Sequence, residues 1–232
     1  MEKETPQINK AAVEDLFKVG AHYGYVKRLR HPSVMPFLFG TKNNIEIFDL
    51  EKTYQALEEA KSYVSGLAQK GKMILFVSGK AEGKEAIKKA AESIQMPYVN
   101  GRWKGGTLTN FEEIRKRVKK LEELVEKREA GELGKYTKKE RLLIDREINS
   151  LEEGFAGLTQ MTRLPDAIYI VDVAHEEIAL SEARTLGIPV ISLSNSDCDF
   201  SKIDYPIPGN DANLHSITYF TSQIAEAYKQ AQ

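Results

Sequence analysis

Four short stretches carry residue types that do chemistry in many proteins. The first is VSGKAEGKEA, residues 77–86. A phosphate-wrapping P-loop needs G-x-x-x-x-G-K and then Ser or Thr, so that amides enclose the phosphates and a hydroxyl takes magnesium. Here Gly79 and Gly83 stand one residue too close, and Glu85 occupies the hydroxyl's place. A carboxylate there repels a triphosphate, so these glycines read as an ordinary strand-to-helix turn.

The second stretch, NSDCDF, holds the only cysteine, Cys198, between Asp197 and Asp199. Flanking carboxylates raise a thiol's pKa, which argues against a nucleophile. The third is an oxygen set for a cation: Asp197, Asp199 and Asp211, with His22 as a nitrogen if the fold brings it near. None of the four histidines stands at ligand spacing from another. Hydrated surface carboxylates are the plainer reading, so no metal or other cofactor is expected.

The fourth stretch, NGRWKGGTLTNF, places Arg102, Trp103 and Lys104 on a glycine-rich loop that runs through Thr107 and Asn110 into a helix. The charged heads of Arg102 and Lys104 need water or an anion. Gly105 and Gly106 permit close backbone approach, and a helix N-terminus offers free amides. The combination suits a phosphodiester backbone and unstacked bases, with Trp103 turned toward RNA and replaceable without loss of the fold. HYGYVKRLRH, residues 22–31, is a second basic and aromatic patch, with Lys27, Arg28 and Arg30.

Charge is unevenly spread although the formal net is only −1. Residues 102–120 hold seven cations against two acids, among them Arg115, Lys116, Lys119 and Lys120, whereas residues 163–211 hold nine acids against three cations. Such asymmetry suits a protein that turns one face to a polyanion. The 232 residues are enough for one large domain with an appendage, and no apolar run approaches a membrane span. The N-terminal MEKETPQINK lacks signal-peptide character, and a lone cysteine fits a reducing compartment.

The elements that must position these residues follow from the apolar pattern. FLFG (37–40), IEIFDL (45–50), MILFVSG (73–79), AIYIVD (167–172) and PVISLS (189–194) read as strands, most of them buried on both faces. Helical spacing separates the later ones, so the fold class is α/β with a parallel sheet. From 111 to 155 the rhythm breaks. Ile114, Val118, Leu121 and Val125, then Ile144, Ile148, Leu151 and Phe155, make two narrow seams suited to an inserted coiled-coil hairpin. Thr109 with Glu112, and Thr137 with Glu140, fit capping boxes at the two helix starts. The expected organisation is an α/β domain of residues 1–110 and 156–232 that does not depend on the hairpin.

VNGRWKGGTLTNF, KVGAHYG, PFLFGTKNNIEIFDLEKT, LPDAIYIVD, EARTLGIPV and IPGNDANLHSI together resemble the bacterial form of protein S-two of the small ribosomal subunit, in register from about Val13 to Ala227. The resemblance implies a flavodoxin-like parallel sheet of five strands with a protruding helical hairpin. It implies no catalysis, but binding of small-subunit rRNA where head meets body, beside neighbouring ribosomal proteins, and help in docking protein S-one. It also implies a cytoplasmic place in the ribosome, with no membrane contact and no homo-oligomer. The residues expected on rRNA are Arg102, Trp103, Lys104, Thr107, Asn110, His22, Lys27, Arg28, Arg30, Arg115, Lys116, Lys119 and Lys120. The family usually reads H-F-G-H where this chain has His22-Tyr23-Gly24-Tyr25, so the second imidazole is missing. The rival reading is a nucleotide-binding α/β enzyme using the turns at Gly79 and Gly209.

Overall fold

Two sheets share the chain in the computed structural model, which describes residues 10–232; the stretch read above for signal character lies almost wholly outside them. After helix α1 (Lys10–Lys18) come β1 (Tyr23–Val26), β2 (Leu38–Lys42) and β3 (Ile45–Phe48), which form an antiparallel sheet in the order β1-β3-β2. Asn43 and Asn44 turn β2 into β3 with φ of 51° and 61°. Both are left-handed, as a two-residue hairpin matching strand twist requires, and Asn tolerates that region better than most residues.

The runs FLFG and IEIF therefore lie in a separate small sheet and not in the parallel one. In β3, Glu46 and Phe48 are buried while Ile45 is exposed and Ile47 half-buried, the mark of a sheet covered on one face.

The parallel sheet follows helix α2 (Leu50–Ala68). It takes β4 (Ile74–Val77), helix α3 (Lys84–Ser93), β5 (Tyr98–Val99), helices α4 (Phe111–Glu129) and α5 (Lys138–Phe155), β6 (Ala167–Val171), helix α6 (Glu177–Thr185), β7 (Val190–Ser194), β8 (Tyr205–Pro208) and helix α7 (Leu214–Ala231). Its spatial order is β5-β4-β6-β7-β8, all parallel. Counted along the chain that is 2-1-3-4-5, the flavodoxin-like order, as the resemblance implied. Two of its strands are short or interrupted by proline, which hid them from a search for apolar runs: YV at 98–99 and YPIP at 205–208.

Strand alternation divides the core into two layers. Ile74, Phe76, Tyr169 and Val171 meet α2, α3 and α7 through Leu57, Val64, Ile87, Phe220 and Ile224. Leu75, Val77, Ile168 and Ile170 face the other way, onto Ala179 and Ala183 of α6. That second layer also contains Ile114, Val118 and Phe155 from the first turns of α4 and the last of α5. The base of the helical pair thus packs within the domain's second core layer. Away from the base the seam opens: Val118 is fully buried, whereas Val125 and Ile144 are only half-buried.

Candidate nucleic-acid interface

The loop of residues 100–110 is wound around one carboxylate. Glu182 is buried on α6, and its Oε1 accepts from the Trp103 indole at 3.1 Å and from the Gly106 amide at 2.7 Å. Its Oε2 accepts from the amides of Leu108 and Thr109 at 2.9 and 3.1 Å and from the Thr109 hydroxyl at 3.2 Å. Burial alone would raise this pKa, but the indole and amide donors together outweigh it and hold the carboxyl below its ordinary value. Gly106, at φ +88°, supplies the left-handed turn that aims the donors inward.

Several expectations change in consequence. Trp103 is 6% exposed and packs in the second core layer, so the ring is mostly enclosed by the domain and not turned out to solvent. Thr107 is buried, its hydroxyl donating to the Lys104 carbonyl. Three loop amides, those of Gly106, Leu108 and Thr109, are taken by Glu182. Thr109 spends its hydroxyl there too, and Asn110, the N-cap of α4, makes no side-chain capping bond. The second capping box, Thr137 with Glu140, is present. For Glu182, a carboxylate between Ala179 and Ala183, on the apolar face, was the available signal.

What the loop presents to solvent are its two cations. Arg102 faces a hollow of about 720 Å³ shared with Lys84, Lys88, His175 and Glu176. Lys104 and Asn110 line a groove of about 260 Å³ that runs to Arg117 on α4. The hairpin cations differ in how far they are committed. Lys116 pairs with Glu113 and Lys120 with Glu147 across the two helices, while Arg115 is half-buried and reaches toward the Thr159 carbonyl. Lys119 is exposed and makes no ion pair among the described residues.

The N-terminal patch is similarly divided. Lys27 and Arg28 are exposed. Arg30 is not free: it pairs at 3.0 Å with Glu46, a fully buried carboxylate that also accepts from Thr41 at 2.8 Å. His22 lies against Phe17, ring centroids 4.5 Å apart, and desolvation lowers its pKa, which favours the neutral ring. It is therefore no cation for phosphate at neutral pH.

At the carboxyl edge of the parallel sheet, where this topology commonly holds ligands, the chain sets its own groups around Lys80. The Lys80 ammonium lies 2.6 Å from Asp172 and 3.2 Å from Asp211. Burial opposes its charge, but the two carboxylates more than compensate and raise its pKa. Asp211 also accepts from Asn195 at 3.0 Å; burial and neighbouring Asp172 push its pKa up to about 6. Asp172 has φ of 65°, a left-handed value stabilised by the amides of Ala174 and His175 on its own Oδ1. The Gly79 amide donates to Glu176 at 2.8 Å, and an added Cβ there would lie 2.3 Å from that carboxylate oxygen. The amide a nucleotide phosphate would need is occupied.

Cys198 is buried and its thiol pKa is raised by desolvation and then by Asp172 and Asp197. The oxygen set considered above does not converge. Asp211 lies with Asp172 and Cys198, while Asp199 is drawn to Ser201, Lys202 and His31. The Lys80 ammonium already sits on Asp172 and Asp211, the two carboxylates of that group.

Residues 16–231 match the family profile described as Ribosomal protein S2. The chain is 43% identical over 215 residues to the small ribosomal subunit protein uS2 of Helicobacter acinonychis (strain Sheeba), covering 93% of this chain and 87% of that one. The same identity holds against the uS2 proteins of Helicobacter pylori (strain Shi470) and of a Nitratiruptor species, of which 81% and 80% are covered.

Proposed function

This chain belongs to the ribosomal protein S2 family, and from that premise we propose that it is a structural constituent of the small ribosomal subunit that binds rRNA and catalyses nothing. The observation that carries the rRNA reading is the sorting of its cations. Lys80, at the sheet's carboxyl edge, is neutralised internally, whereas Arg102, Lys104, Arg117, Lys119, Lys27 and Arg28 face solvent. Outward cations without carboxylate partners suit a phosphate backbone.

The loop cations would position the domain on rRNA at the junction of head and body, and the hairpin would extend that contact. Docking of protein S-one falls to the remaining surface in this reading, which places the protein in the cytoplasm within the ribosome and not as a homo-oligomer. Sedimentation tests it. A tagged chain should run with the small subunit, and replacing Arg102 and Lys104 by Gln should weaken its retention at raised salt with the fold intact. A chain that stays at the top of the gradient overturns the reading.

A further inference from the structure

The antiparallel sheet buries one face and leaves the other bare. Thr41 and Glu46 are cross-strand partners, and Glu46 points inward to Arg30. The adjoining rows therefore point outward: Lys42, Ile45 and Val26 lie side by side, and next to them Gly40, Ile47 and Tyr23. Ile45, Val26 and Tyr23 are 37%, 41% and 50% exposed. Between Leu38 and Gly40 the register slips by one, and the extra residue, Phe39, is 82% exposed on the edge strand. A shallow hollow beside this face is lined by Val26, Lys27, Arg28 and Asn44.

Isolated exposed apolar residues are commonplace, but a contiguous sheet face with a bare phenylalanine at its rim needs an occupant. Charge says which kind. Lys27, Arg28 and Lys42 border the face and make no ion pair among the described residues, and the one acidic residue of the three strands, Glu46, is turned inward. Protein interfaces deplete lysine at their centres. Duplex RNA is held largely through its backbone and grooves, and gives aromatic rings no base faces to stack on. Unpaired nucleotides need both features: cations along the strand, and flat apolar or aromatic surface beneath the bases.

We propose that the outward face of this three-stranded sheet binds an unpaired stretch of RNA, with bases stacked on Phe39 and Tyr23 and phosphates met by Lys27, Arg28 and Lys42. The proposal rests on the reading that the protein contacts small-subunit rRNA, and it assigns the surface and the RNA conformation.

The probe is small-subunit rRNA transcribed in vitro, bound by the full chain across a salt series. Phe39→Ala removes a side chain that packs on little, so its effect reports on the surface. It should weaken binding roughly fivefold to a hundredfold, and Phe39→Trp should restore it. Lys42→Gln should flatten the salt dependence by about 0.7 log units per log unit of salt. Ultraviolet crosslinking should join peptides containing Tyr23 or Phe39 to nucleotides that are unpaired in the rRNA.

Parent-like affinity and slope in both variants overturn the proposal while leaving the rRNA reading standing. Crosslinks confined to base-paired nucleotides also overturn it. Self-association of the chain that Phe39→Ala abolishes would assign the face to a second copy instead. Failure of the unaltered chain to bind rRNA or to sediment with the subunit defeats the broader reading.

Discussion

Trp103 and Glu182 stand 79 residues apart in the chain and meet through an indole-to-carboxylate hydrogen bond of 3.1 Å inside the domain. Around that contact the loop folds so that its tryptophan faces inward while Arg102 and Lys104 face out. Glycine serves here to bend amides onto a carboxylate, and any phosphate contact falls to the two cations.

Replacing Trp103 by Ala should cost about 3–5 kcal/mol of stability, the range for truncating a buried aromatic. Denaturant unfolding followed by circular dichroism measures it. A loss under about 1 kcal/mol would mean that the ring contributes little to the core.

Glu182→Gln keeps the shape but puts an amide NH₂ where two backbone donors and a hydroxyl converge. A loss of about 2–4 kcal/mol at neutral pH is expected, from weakened charge-assisted bonds and an opposed donor pair. The pH dependence has a defined sign. The folded pKa of Glu182 is depressed, so its contribution is complete above the unfolded value of about 4.3 and fades as pH falls through the folded value. The Gln variant should lack that acid-side component; an identical acid slope in both proteins contradicts the assignment.

Lys80→Met leaves Asp172 and Asp211 buried without their cation. A loss of about 3–5 kcal/mol at pH 7 is expected. The deficit should shrink as pH falls toward about 6, because Asp211 without Lys80 takes up its proton at a higher pH than in the parent. A deficit that stays constant between pH 7 and pH 5 would show that Lys80 matters through packing alone.

For the hairpin, the position of the cut decides the outcome. Replacing residues 122–146 by a short Gly-Ser linker spares Ile114, Val118 and Phe155 and should leave a cooperatively folding domain. Extending the cut back to residue 112 removes Ile114 and Val118 from the core and should cost several kcal/mol more, about 2–5 for each large side chain lost. Equal stability of the two deletions would argue that the base is dispensable.

The α/β class was legible because β6 and β7 are continuous apolar runs, and the helical pair because its seams repeat cleanly over residues 114–125 and 144–155. The small sheet was misassigned because a short run such as IEIF looks alike in either setting; only its pairing partners distinguish them. Likewise Arg30 and Lys104 are both basic residues in a basic patch. Which one is free depends on Glu46, a carboxylate 16 residues from Arg30 and brought under it by the β2–β3 hairpin. Local composition located the patches, while the commitment of each charge is set by tertiary pairing that spacing does not encode.

The tether of β1 carries a consequence for the order of assembly. The Tyr25 amide donates to the Ser196 hydroxyl across 171 residues of chain, and its phenol accepts from Lys80, itself held by Asp211. Contacts of such separation form only after a large loop has closed. During synthesis, the first strand can pair with β3 early, but its anchor on Ser196 is absent until nearly the whole polypeptide has emerged. The N-terminal sheet is translated first and matures last, so a truncated product lacking its final quarter cannot present that surface in its finished form.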